Sequence, residues 1–161
     1  MIFSGKRIDE ISAENIKGLL EAGVPEGKEV DYKQNLPAND NEGKKEFLAD
    51  VSSFANTTGG YLIFGIREEN LIPVEICGLP NLNPDIDIQR LENMIRDGID
   101  PRIQGVATRA VQMDGSKYVV LIHIPQSFLQ PHVVRFQNHW RFYARNSAGK
   151  YPLDVDEVRS A

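Results

Sequence analysis

The residues best suited to chemistry are cationic and aromatic, and they lie late in the chain. Arg141, Tyr143 and Arg145 alternate, so on a strand they share one face. Arg135 precedes them across a turn, and Lys150 follows in the polar run Asn146-Ser147-Ala148-Gly149-Lys150, which reads as a loop. Alternating cations and an aromatic ring can contact phosphates and stack on bases. The competing reading turns Tyr143 into the core and pairs the arginines with acids from elsewhere. Charge is distributed to match the first reading. The whole chain carries −5, yet residues 102–150 hold Arg102, Arg109, Lys117, Arg135, Arg141, Arg145 and Lys150 against Asp114 alone, a local balance of +6. Such a split between halves points to a polyanion-facing surface or to solvated cations scattered over strands.

A second group is Asn56, Thr57, Thr58, Gly59 and Gly60, placed between a helical pattern and the apolar run Tyr61 to Ile66. The glycines permit a tight helix-to-strand turn. The three small polar residues would stand at a helix C-terminus, where outward carbonyls disfavour an anion. Phosphate-cradling loops run from strand into helix and supply a lysine, and neither GxxxxGK[ST] nor GxGxxG occurs in the sequence. Cys77 is a single cysteine, which excludes an internal disulfide and a cysteine-rich zinc site. His123 lies in an apolar strand, as structural histidines do, and His132 and His139 flank a hairpin without a close partner for zinc.

The elements that must position these groups follow from periodicity. Ser12 caps a helix striped by Ile16, Leu19 and Leu20 and closed by Gly23 and Pro25. Val30 and Tyr32 alternate with Asp31 and Lys33, a half-buried strand. After a polar loop, Phe47, Leu48, Val51, Phe54 and Ala55 recur at helical spacing, and Tyr61–Ile66 reads as a strand covered on both faces. Leu71–Cys77 is an edge strand broken by Pro73, and Asn83 starts a helix faced by Ile88, Leu91, Ile95 and Ile99. Gly105–Met113 and Lys117–Ile124 flank an Asp114-Gly115 hairpin turn; His132–Phe136 and His139–Arg145 flank Gln137-Asn138; a last helix begins near Asp154. The predicted fold is α+β, with a mixed, mostly antiparallel sheet and three or four helices.

With 161 residues, 41% of them hydrophobic and 25% charged, one domain is expected, divided into an N-terminal helical segment at 1–23 and a core at 24–161. No apolar run is long enough for a membrane span or resembles a signal peptide, so a cytoplasmic protein without membrane partners is expected.

The blocks EGKEVDYKQN at 26–35, FLADVSSFANTTGGYLIFGIREE at 47–69, Pro101 after a helix, and RFYARNSAGKYP at 141–152 resemble the Schlafen AlbA-type domain, from about Val24 to the end. FANTTGG is the specific part of that likeness, and it makes Asn56, Thr57, Gly59 and Gly60 a structural signature. The resemblance implies an AlbA-like α+β module that binds nucleic acid, DNA first, through phosphate contacts with little base specificity, as in a transcriptional regulator. Members often stand at the front of a longer chain, so this one is expected to be such a front part or a module by itself. The residues best placed for such binding by strand face and charge are Lys33, Arg135, Arg141, Tyr143, Arg145 and Lys150, with no cofactor required. Some similar domains are ribonucleases that cut structured RNA such as tRNA with clustered acids. Carried over by motif, these are Glu26, Asp31, where glutamate is more usual, and Glu68 or Glu69; in that alternative they hold Mg²⁺ or Mn²⁺. A third possibility is a protein-interaction or oligomerisation domain, and exposed sheet edges allow a homodimer.

Overall fold

The computed structural model describes residues 2–161. Ser12 Oγ accepts from the Asn15 amide to start α1 (Ala13–Ala22), and Gly23 ends it in the left-handed conformation, φ 60°. The chain continues through β1 (Val30–Lys33), α2 (Asn41–Ala55), β2 (Gly59–Phe64), β3 (Ile66–Glu69), β4 (Ile72–Ile76), α3 (Pro84–Gly98) and the short β5 (Ile99–Asp100). It closes with β6 (Ala107–Gln112), β7 (Tyr118–Pro125), β8 (Val133–Phe136), β9 (His139–Asn146), β10 (Gly149–Pro152) and α4 (Val155–Ser160).

One mixed sheet has the order β1-β2-β7-β6. Its single parallel pair, β1 with β2, is joined through α2, because parallel strands need a crossover. Side-chain alternation splits the core in two. Leu62, Phe64, Val120, Ile122 and Ile124 face α2 and α3, whereas Val30, Tyr32, Tyr61, Ile63, Val119 and Leu121 pack with Ile16 and Leu19 of α1. A second, antiparallel sheet, β10-β9-β8-β5, lies against α2 from the other side. Helix α2 is thus enclosed: every residue from Phe47 to Ala55 is buried.

The α+β class and helix count agree with the sequence, but the single expected sheet is divided. Gly65, φ 104°, ends β2, and β3 turns away to form a two-stranded ribbon with β4. Gly149 and Lys150, expected in a loop, instead join Tyr151 and Pro152 as β10 of the second sheet. Among the described residues no helix is long and apolar enough to cross a membrane.

Candidate functional site

Enclosing α2 creates the central electrostatic problem, since Asp50, 1% exposed, lies in the middle of it. Three elements answer with charge. On β1, Asp31 and Lys33 share the face opposite Val30 and Tyr32 and point toward α2. On α2, Glu46, Asp50 and Ser53 follow at helical spacing along one side, and Thr57 stands just past its end. On the second sheet, antiparallel register sets Lys150 of β10 beside Arg145 of β9. Lys33 Nζ lies 3.2 Å from Asp50 and 3.5 Å from Asp31. Lys150 Nζ donates to Asp50 at 2.8 Å and to Glu46 at 2.5 Å.

Arg145 completes the network and is 2% exposed. Its guanidinium donates to Asp31 Oδ2 (2.9 Å), Ser53 Oγ (3.2 Å) and the Gly27 carbonyl (3.0 Å), and stacks 4.1 Å above the Phe54 ring. A nucleic-acid role for Arg145 is therefore corrected: in this arrangement its donors are spent inside the protein. Tyr143 is half-buried, packs against the core and shares a hydrogen bond with His139 Nε2 at 3.1 Å. Arg141 is exposed, on the face shared with buried Val134. Arg135 pairs in register with Trp140 on the opposite face and lies 5.9 Å from its ring centroid. Lys33, Arg145 and Lys150 thus converge, whereas Arg135 and Arg141 diverge.

Of these, Lys33 and Lys150 border a polar cavity of about 440 Å³ that also takes in Glu26, Asp31 and Glu68. Glu69 pairs at 2.6 Å with Arg67, which itself lines the cavity, but is not part of the lining, so Glu68 is the third carboxylate there. Burial, then the charge of Asp31, pushes the Glu26 carboxyl up to about 7, although its Oε1 accepts from the Tyr32 amide at 2.9 Å. Burial also raises Asp50, with Lys33 and Lys150 pulling the other way. For each lysine burial disfavours the charge, and the carboxylates around it, Asp50 first, together more than offset that, so both are raised above the ordinary range.

The three carboxylates do not form a cage suited to Mg²⁺ or Mn²⁺. Asp31 is held by Arg145 and Lys33, Glu26 by the Tyr32 amide and Glu68 by the Leu71 amide at 2.9 Å. Among the described residues no group of three acidic, histidine or cysteine side chains is arranged to hold a metal.

The Asn-Thr-Thr-Gly-Gly stretch acts as a clamp. The Asn56 amide donates to the carbonyls of His132 and Tyr143, both at 2.9 Å, and accepts from the His132 amide at 2.7 Å. Thr57 Oγ1 accepts from the Arg145 amide at 2.9 Å, tying β9 to the end of α2. A Cβ on Gly60 would fall 2.5 Å from the Glu29 carbonyl oxygen, and one on Gly59 would fall 2.6 Å from the Gln126 amide, so both glycines permit close strand approach. His132 is buried, its ring nitrogens 2.6 Å from the Pro101 carbonyl and from Ser127 Oγ. His123 packs against Tyr61 at 4.8 Å, and burial lowers its pKa.

Sequence reading missed Glu46, Asp50 and Ser53. Their signal was present: polar residues at 46, 50 and 53, continued by Thr57 just past the helix end, recur at helical spacing through the otherwise mostly apolar stretch 47–55.

Comparison with known proteins fits this architecture. No curated protein matches. Solved structures share the fold, two of them as follows. The DIP2311 protein of Corynebacterium diphtheriae is 21% identical, with a TM-score of 0.52 over 86% of this chain, which spans 26% of that protein's length. The N-terminal domain of a Nitrosomonas europaea protein named for its relation to the DNA helicase RecG is 23% identical, with a TM-score of 0.53, over 72% of this chain and 74% of its own. The profile of the family described as Schlafen, AlbA_2 matches residues 26–154, and the chain belongs to that family.

Proposed function

We propose that the chain is a nucleic-acid-binding module that grips the sugar-phosphate backbone at the mouth of the Glu26–Lys150 cavity. The observation that carries this reading is the convergence of Lys33 and Lys150, from the first and last strands, on one polar cavity. Each ammonium has three N–H donors, and the carboxylates beneath take part of that capacity. Glu46 is the exposed member of the network, so an incoming phosphate displaces it and binds both lysines. Because the cations start out paired, the affinity is modest and insensitive to base identity. DNA as the preferred strand and a place in a transcriptional regulator are supported by the family resemblance and by the helicase-related name of the second structural neighbour.

A salt titration of binding to single- and double-stranded DNA and to tRNA tests the reading. Affinity should fall steeply with salt, and Lys150→Gln should lower the slope of log affinity against log salt by about 1. Flat or absent binding to all three would refute it.

A second reading, cleavage of structured RNA, is favoured by Glu26, whose carboxyl is half protonated near neutrality beside Asp31 and Glu68. Such a group can take the proton of a ribose 2′-hydroxyl while the lysines hold the phosphate. Cleavage of labelled tRNA, with and without Mn²⁺ and lost in Glu26→Gln, would establish it; no product under any condition would dismiss it.

A further inference from the structure

A second cavity, of about 470 Å³, opens between α2 and α3, away from the site above and within the usual range of roughly 300–1,000 Å³ for small-molecule pockets. Its apolar floor is Leu48, Met94 and Phe136. Gly98 keeps that floor low, since a Cβ there would come within 2.4 Å of Leu48 Cδ1.

Two cations, Lys44 and Arg90, line it, and among the described residues neither has a carboxylate within 4.0 Å. Arg90 makes one side-chain contact of hydrogen-bond type, Nη1 to Met94 Sδ at 3.7 Å, which lays the guanidinium along the floor. Lys44 stands in the first turn of the 15-residue α2, where the helix dipole adds positive potential. The single carboxylate in the lining, Asp97, is taken up by Arg96, at 3.0 and 3.4 Å. The amides of Asn39, Gln89 and Asn93 complete the wall, and none has a side-chain hydrogen bond among the described residues.

Each feature selects a part of a ligand. The apolar floor takes a flat ring, the free amides pair with donors and acceptors on its edge, and the two unpaired cations take an anion attached to it. We propose that this cavity is a mononucleotide site, with the base on Met94 and Phe136 and the phosphate between Lys44 and Arg90. The site shares no lining residue with the Glu26–Lys150 cavity, so either can fail without the other.

The test is titration of the full, ¹⁵N-labelled chain with AMP, adenosine and inorganic phosphate, followed by amide shifts. AMP should move amides of residues 39–48 and 86–98 in a saturable way, and adenosine or phosphate alone should bind at least about tenfold more weakly. Lys44→Gln and Arg90→Gln, both at partly exposed positions, should keep the wild-type spectrum elsewhere and each weaken AMP about tenfold. The proposal is overturned if AMP, GMP, CMP and UMP all leave these amides unmoved, if the shifts map to the Glu26–Lys150 cavity instead, or if both variants bind AMP as the parent does.

Discussion

Helix α2 presents two cationic sites on opposite sides, and they differ in how their charge is balanced. Toward β1, β9 and β10, the three cations Lys33, Arg145 and Lys150 meet the three carboxylates Asp31, Glu46 and Asp50. Toward α3, Lys44 and Arg90 meet none among the described residues. At 3.6 residues per turn, Glu46, Asp50 and Ser53 lie on the side of the helix away from Lys44 and Leu48. The first side is a buried network that the fold requires. The second is a surface whose charge the fold does not use, and unused charge beside an apolar floor is what a ligand can exploit.

Breaking the first side should have the largest effect. Arg145→Ala removes three hydrogen bonds and the one fully buried cation of the network, leaving Asp31 with Lys33 alone at 3.5 Å, a change of the kind that costs about 3–5 kcal/mol. Urea unfolding measures it, and a loss under about 0.5 kcal/mol, ordinary for a surface site, would mean the network is not structural. Asn56→Ala should come next. It leaves the buried His132 backbone without its side-chain partner and should cost about 1–3 kcal/mol, with faster hydrogen exchange in β8 and β9 than in β2 and β7.

This contrast between the two sides of α2 was only partly legible in the sequence. Local signals came through: Ser12 and Gly23 bound α1, Asn83 caps α3, and Asp114-Gly115 joins β6 to β7. What failed was long-range. Alternation correctly groups Arg141, Tyr143 and Arg145, but it cannot say that the shared face is pressed onto α2 at Arg145 and open at Arg141. The partner of Arg145, Asp31, is 114 positions away. β10 was hidden because Gly149-Lys-Tyr-Pro152 is short and turn-like, and without it the register that sets Lys150 beside Arg145 cannot be read. Carrying over the family acids did bring Glu26, Asp31 and Glu68 to one cavity, while Asp50, buried in mid-helix, went unnoticed because the apolar stripe around it already explained the helix.

Glu26 sharpens the first side further through pH. Its folded pKa of about 7 lies above its ordinary value of 4.5, so between those values the folded chain holds a proton that the unfolded chain has released. Stability therefore falls as pH rises through that window, and Glu26→Gln should remove the fall while keeping an oxygen for the Tyr32 amide. Since Glu26 is only half-buried, solvent screening cuts the gain of the variant at pH 8 to about 1–2 kcal/mol, and it should vanish near pH 4. Urea midpoints at both pH values measure it. Equal pH dependence in parent and variant would place the carboxyl in water.

The smallest expected effect on stability belongs to the second side, and it separates the two sites most sharply. Lys44→Gln and Arg90→Gln remove charges that no carboxylate needs, so each should change unfolding free energy by no more than about 0.5 kcal/mol. Lys33→Gln is the matched control: the same loss of one positive charge, but 3.2 Å from a carboxylate that is 1% exposed. Asp50 would then rely on Lys150 and the more distant Arg145, at 2.8 and 3.8 Å, and its burial penalty would be less fully offset. The Lys33 variant should therefore unfold at lower urea than either of the other two. If all three unfold together, the charge balance around α2 does not decide which of its sides is scaffold and which is free to bind.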